Sequence, residues 1–289
     1  MKSYKENLFK GITYTSALFV LFFLLSIISS IFKEGITIFG TIGIKDFLLG
    51  TAYYPTQEPP KFGVFSLILG SVYVTAGALL IAIPLGLGAA VYIAEIASLK
   101  IKEITKPIIE LLAGIPSVVY GLFGITFLAP AIRQWFGLDS GLNIFSASII
   151  LGIMIIPIIT SMSEDALNTI PKELREASLA LGANKWETIT KIIIPAAKSG
   201  IIGSILLGFG RAIGETMVVL MVAGGSAQIP HSIFSSVRPM TSAIAAEMGE
   251  TVVGDLHYYA LFALAMVLFV ITLISNLITE LVFLKRVKK

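Results

Sequence analysis

Each of the long apolar stretches 11–32, 62–94, 111–132, 140–163 and 256–279 runs for more than twenty residues without a single Asp, Glu, Lys or Arg. A sixth, 199–225, is interrupted only by Arg211 and Glu215. A bilayer core about 30 Å thick is crossed by roughly 20 apolar residues in a helix, so each stretch is long enough to span one. A soluble domain with only 13% charged residues could not cover its surface, since about 25% is usual. The fold class that follows is all-α: a polytopic membrane protein with six transmembrane helices and both termini on one side.

The basic residues orient it. Lys2, Lys5 and Lys10, Lys100, Lys102 and Lys106, Lys172, Arg175, Lys185, Lys191 and Lys198, and Lys285, Arg286, Lys288 and Lys289 fall on the side of the termini. The other side holds Lys33, Lys45, Lys61, Arg133 and Arg238. Positive charge accumulates in cytoplasmic loops, so both termini are expected in the cytoplasm. The first run is too long for the apolar stretch of a cleavable signal peptide, and 26–32 has no good small-x-small cleavage site, so it reads as a retained anchor. Segment 33–61 is then an extracytoplasmic loop, either a simple connector or a docking element.

The runs are not uniform anchors, because they contain Pro84, Pro116, Pro130 and Pro157. Proline in a membrane helix frees backbone groups that only protein or water can satisfy. Ser204 with Gly208 and Gly210 with Gly214 are small residues at spacing four, a pattern that lets helices approach closely. Counted from residue 199, Arg211 lies about 18 Å into its run at 1.5 Å per residue, near the midplane. An unpaired Arg there costs at least ~2.5–3.5 kcal/mol, and Glu215 at i+4 is the partner the spacing offers. The pair either neutralises itself within the packing, or presents Arg211 to an anionic solute with Glu215 taking the Arg back on release. Arg suits an oxyanion because its planar fork makes paired, charge-assisted bonds. Glu110 and Glu280 read as interfacial.

Zero cysteines and two histidines exclude a disulfide framework, a thiolate metal site and a thiol nucleophile. His231 and His257 read as loop or interfacial residues rather than ligands, and no nucleophile–base pair stands at recognisable spacing. Catalytic and metal residues are therefore expected to be none, and the chain is not expected to be an enzyme. Absence of a Gly-Lys dipeptide excludes a P-loop. A net charge of +3 points to no nucleic-acid partner. No relay of carboxylates and histidines crosses the runs, which weighs against proton coupling.

Segment 164–198 is rich in charge of both signs and carries helix grammar. Asn168 or Thr169 can cap, Pro171 fits the first turn, and Gly182 can stop the helix. Leu174, Ala177, Ser178 and Leu181 should share a face. Asn184 and Glu187 have the spacing of a capping box opening a second helix toward Pro195. Within it, Glu176-Ala177-Ser178, three residues, Gly182, nine residues and Ile192-x-Ile194-Pro195 resemble the EAA signature of ABC importer permeases, E-A-A-x3-G-x9-I-x-L-P, with Ser178 and Ile194 as conservative departures. The block Arg211-Ala212-Ile213-Gly214-Glu215-Thr216-Met217 with Val222-Ala223-Gly224-Gly225, the block 112–121 and the block 83–88 resemble the phosphate-specific permeases, the PstC type more than PstA. The likeness covers roughly residues 60–285.

That resemblance implies a type I ABC importer permease fold. Residues 1–63 would form an anchor helix and extracytoplasmic loop, and 64–284 the transmembrane domain with its EAA coupling loop at 164–198. It implies a coupling helix seated on an ATPase through Glu176, Ala177, Ser178, Gly182, Ile192 and Pro195, and a solute path past Arg211, Glu215 and Thr216. The implied partners are a second permease subunit, two ATPase subunits, an extracytoplasmic phosphate-binding protein and membrane lipid. No cofactor is implied for this chain, ATP being used by the partner. A permease for sulfate or molybdate, and a secondary transporter working without ATP, remain alternatives.

Overall fold

The computed structural model describes the backbone of residues 2–287 and the side-chain surroundings of 9–278. The side chains of Lys2, Lys5, Glu280, Lys285 and Arg286, and all of Lys288 and Lys289, lie outside the described residues. Helix α1 (Lys2–Thr37) leads through a 3-10 turn to α2 (Ile44–Leu49) and a small hairpin, β1 (Tyr53–Tyr54) antiparallel to β2 (Lys61–Phe62), with Tyr53 opposite Phe62. α3 (Phe65–Val91) ends in a π turn, Tyr92–Ile96. α4 (Leu99–Ala113) and α5 (Ser117–Phe123) follow, and a second π turn, Gly124–Leu128, joins α6 (Ala129–Phe136). After α7 (Ile144–Asn168) come α8 (Lys172–Ala180), α9 (Lys185–Thr188), a third π turn, Ile189–Ile193, and α10 (Ile194–Ala196). α11 (Lys198–Ile213), α12 (Met217–Val222), α13 (Met240–Glu247) and α14 (Leu256–Val287) complete the chain.

Among the described residues, four helices are long and apolar enough to cross a membrane alone: Phe9–Gly40, Phe65–Ile96, Ile144–Asn168 and Leu256–Ile278. Two bent pairs raise the number to six. The run 111–132 is not one straight span, because α4 stops at Ala113 and Ser117–Phe136 departs at 87°. Pro116 is the cause: it lacks a donor and its ring disfavours helical backbone at Ile115. The other bend, 69°, falls at Ala197 between Lys185–Ala196 and Lys198–Ile213. In two cases a π turn is followed two residues later by proline, Pro130 and Pro195. The wider i→i+5 turn is a local adjustment that accommodates a ring with no N–H to give.

α3 and α7 form the central pair. A Cβ on Gly77 would stand 2.4 Å from the Ser148 hydroxyl, and one on Gly152 3.1 Å from the Ala78 carbonyl. Ser148 Oγ donates to Val74 O at 3.3 Å, and Thr160 Oγ1 to Gly86 O at 3.2 Å. Lipid tails are as apolar as leucine, so close packing and interhelical bonds of this kind, rather than hydrophobic burial, hold membrane helices together. Ala78, Ala82, Leu151, Ile155 and Ile159 fill the seam, and Val218, Val219 and Val222 of α12 pack on it. Ser204 and Gly208 join α11 to α7 as their spacing suggests: the Ser204 and Ser163 hydroxyls lie 2.6 Å apart, and a Gly208 Cβ would sit 3.0 Å from Ile155 and Ile159. Gly210 does not follow, for nothing lies within 4 Å of its Cβ position.

Segment 33–61 is a packed cap. Ile38, Phe47, Tyr53, Phe62 and Val64 are buried with Met240 and Ala243 of α13 and with Ala260, Ala263 and Leu264 of α14. At the opposite end, Ala90, Val91, Ala94 and Leu167 bury against Ile189, Ile193, Ala197 and Ile201. α4 leaves the bundle with Ile101, Ile104, Ile108 and Leu111 exposed along one edge. Lys102 Nζ donates to Ala94 O at 2.6 Å, and Lys106 bridges to Glu164 and Asp165, so its other edge is tied to α3 and α7.

Candidate functional site

Arg211 is near the C-terminus of α11, which ends two residues later, at Ile213. Glu215 is therefore not on a continuing helix face, as i+4 spacing in an unbroken helix implied. It sits in the turn Gly214–Thr216 between α11 and α12. The ion pair forms across that break, Arg211 Nη1 to Glu215 Oε2 at 2.7 Å. Glycine at 214 and the short polar turn end the helix within a run that is apolar apart from Arg211 and Glu215.

The two partners are held unequally. The Glu215 side chain is 2% exposed, and its other oxygen accepts from Met217 N at 3.1 Å and Val218 N at 3.3 Å. These are the first donors of α12, groups that no helical carbonyl can satisfy, and a carboxylate there also meets the positive end of the helix dipole. Arg211 is 45% exposed, and among the described residues one bond, to Glu215, fixes its guanidinium. The Thr216 hydroxyl lies in the same turn, donating at 3.4 Å to Gly214 O. Arg211, Glu215 and Thr216 are thus together, with the carboxylate anchored and the guanidinium free to take a second acceptor.

The break is braced from the cap. Thr241 Oγ1, buried on α13, donates to Glu215 O at 2.6 Å, and Met240 N donates to Ser71 Oγ of α3 at 2.9 Å. Gly224 and Gly225 have φ of +95° and +79°, a left-handed turn that glycine alone adopts cheaply. A side chain at Gly224 would also strike the Leu142 carbonyl and Ser236. This turn returns the chain so that Val237 N bonds Ala223 O at 2.9 Å and Arg238 Nε bonds Gly225 O at 2.9 Å. Arg238 also pairs with Glu247, which accepts from the Tyr53 hydroxyl at 2.8 Å and lies 2.9 Å from His257 Nε2. Burial, and then the Glu247 carboxylate, push the Tyr53 phenol above its usual range, so it stays a donor. His257 is thus part of a polar cluster rather than a loose loop residue; Arg238 and Glu247 were invisible as a pair because nine residues and a helix separate them.

In the charged segment, Pro171 stands before the first turn of α8, and neither Asn168 nor Thr169 caps it: the Asn168 amide donates to Glu164 and the Thr169 hydroxyl to Ala166 O. Gly182, at φ +85°, ends the helix as expected. The capping box is present, Glu187 N to Asn184 Oδ1 at 2.9 Å and Asn184 N to Glu187 Oε2 at 3.1 Å. The expected common face divides. Ser178 is buried with its hydroxyl 2.9 Å from that of Thr188, whereas Leu181 is 90% exposed, Leu174 and Leu179 are exposed, and so is Trp186 on α9. Glu176 and Ala177 are exposed on α8; Ile192 and Pro195 are exposed as well, because Ile189 and Ile193 are the residues that face the core.

Arg175 and Glu95 escaped notice in the sequence. Arg175 Nη2 and Nε approach both Glu95 oxygens, at 2.6 and 3.2 Å, while Nη1 donates to Ile170 O at 2.6 Å and Nη2 to Leu167 O at 3.0 Å. The available signal was a glutamate directly closing the run 62–94 and an arginine beside the Glu176 motif.

The model of the family described as binding-protein-dependent transport system inner membrane component matches residues 82–288. A relative in Bacillus subtilis, named probable ABC transporter permease protein YqgH, is 41% identical over 81% of this chain and 75% of its own length. The phosphate transport system permease protein PstC of Haemophilus influenzae is 35% identical over 97% of this chain and 93% of its own. Among solved structures, a bacterial alginate ABC transporter in complex with an alginate-bound periplasmic protein aligns over 95% of this chain and 97% of that one, with a TM-score of 0.58 at 18% identity. That last likeness is one of fold.

Proposed function

The chain belongs to the binding-protein-dependent transport system inner membrane components, and from that premise we propose that Arg211 is the transient ligand of the solute on its way through the membrane. The protein is a multi-pass inner-membrane permease subunit of an ABC phosphate importer, with the type I permease fold. The observation that carries the reading of Arg211 is the unequal hold on the Arg211–Glu215 pair. A buried carboxylate kept in place by two backbone donors besides Arg211 is a fixed counter-charge. A half-exposed guanidinium with donors to spare can accept a phosphate oxyanion with its planar fork and then return to the carboxylate. An Arg with no competing carboxylate would hold the anion too well to release it.

Residues 64–284 act in this reading as the transport domain, with both termini cytoplasmic. The exposed Leu174, Leu179 and Leu181 of α8, with Trp186 and Glu176, form the face that an ATPase subunit covers, and Gly182 and Pro195 shape the hairpin that presents it. A second permease subunit of PstA type, two ATPases and an extracytoplasmic phosphate-binding protein complete the machine, and ATP is consumed by the ATPases. ATP-driven uptake of labelled phosphate by the assembled transporter in proteoliposomes tests the Arg role. Arg211→Ala is expected to lower uptake about a hundredfold, the effect of removing about 2–5 kcal/mol of charged contact, and undiminished uptake would refute it. Competition by sulfate and molybdate in the same assay checks the solute.

A further inference from the structure

We infer that Arg175, through Glu95, is the joint that passes displacement of α8 to the membrane helices. The inference rests on the reading of α8 as the ATPase-facing element. α8 packs closely on α9 and the π turn after it, members of its own hairpin. Its side chains Leu174 and Leu179, and Leu181 just past its end, are exposed among the described residues. The guanidinium of Arg175 is what ties α8 directly to the bundle, and it does so at two helix ends at once. It grips both oxygens of Glu95 in the π turn that ends α3, and it serves the carbonyls of Leu167 and Ile170 at the end of α7. Leu167 O takes a backbone donor, Ile170 N at 3.3 Å, and Arg175 adds a side-chain one, while Ile170 stands in the turn just past α7; a cation there also complements the α7 dipole.

α3 and α7 are the helices packed most intimately in the fold, so a pull on their shared end moves the seam on which α12 rests. The apolar contact of Ile189 and Ile193 with Ala90, Val91 and Ala94 keeps the hairpin attached by a separate route. Loss of the Arg175 link therefore leaves α8 docked but slack. Arg175 is a positioning residue: it touches no solute, and its effect belongs to the ratio of phosphate moved to ATP hydrolysed.

The test is a double-mutant cycle on the assembled transporter in proteoliposomes, using Arg175→Gln, Glu95→Gln and both together, with Arg175→Lys as the conservative variant. ATP hydrolysis and phosphate uptake are measured on the same vesicles. The expected result is hydrolysis near the wild-type rate with uptake per ATP reduced about tenfold in either single variant, within the range that coupling residues show. The double variant should be no worse than the singles, and Arg175→Lys should recover part of the loss. A merely structural role lowers hydrolysis and uptake together and leaves their ratio unchanged, and that result, or additive losses in the double variant, overturns the inference. Absence of ATP-driven uptake by the wild-type assembly would instead refute the functional reading beneath it.

Discussion

Two Arg–Glu pairs, one in the membrane turn and one beneath α8, divide their bonds in opposite ways. In the Arg175–Glu95 pair the arginine is saturated: both carboxylate oxygens and two helix-end carbonyls surround it. In the Arg211–Glu215 pair the glutamate is saturated and the arginine keeps a single partner. Removing one member of a buried pair leaves an uncompensated charge, so neither can be lost cheaply. What differs is which member can change its mind. A fixed cation with a fixed anion transmits position, whereas a fixed anion with a loose cation can trade that cation to a visiting anion.

The largest effect that separates the pairs should come from removing each negative charge. Glu215→Gln keeps an acceptor for Met217 and Val218 but no longer competes for Arg211. Phosphate should then bind more tightly and leave more slowly, giving a lower KM and a maximal uptake rate down about tenfold, equivalent to about 1.4 kcal/mol. Glu95→Gln should leave KM where it is. A raised KM in Glu215→Gln, or a shifted one in Glu95→Gln, would collapse the distinction.

A smaller contrast lies along α11. Gly208→Ala places a methyl group against Ile155 and Ile159 and should lower thermal stability by about 1 kcal/mol, the low end of overpacking costs. Gly210→Ala meets nothing within 4 Å and should melt like the wild type. Equal melting of the two variants would deny the difference in packing between the two faces of α11.

The smallest effects belong to the hairpin that presents α8. Asn184→Ala removes one half of the capping box and should cost about 1 kcal/mol of local protection at α9 by hydrogen exchange. The Asn184 backbone N–H, and then Lys191, hold the Glu187 carboxyl below its ordinary range. A depressed folded pKa means stabilisation that is complete above the unfolded value of about 4.3 and disappears as pH falls through the folded one. Protection at α9 should therefore fall on acidification, and protection that rises there would reverse the assignment.

Much of this architecture could be read in the residues. Charge-free runs located the four helices long enough to cross a membrane alone, Gly182 and the Asn184–Glu187 box were legible from local stereochemistry, and burial cost alone demanded a partner for Arg211. The bends were not legible: apolar residues run on through Gly114–Pro116, and the i+4 spacing of Arg211 and Glu215 fits an unbroken helix, while the backbone turns at both places. The division of the α8 face was not legible for a related reason: Leu174, Ser178 and Leu181 have the spacing of one face, and periodicity does not say whose core an apolar residue joins. Arg175 with Glu95 and Glu247 with its donors join residues far apart in sequence or separated by a helix, and no local rule pairs them.

The right-angled departure of α4 bears on the lipid as well as on the solute path. With Ser117–Phe136 upright, a helix of fifteen residues leaving at 87° lies flat for about 22 Å. Its row of isoleucines faces away from the bundle like a keel, and two lysines moor the inner edge. An apolar flank of that kind, uncovered by the described residues, is a surface for lipid tails or for a neighbouring helix.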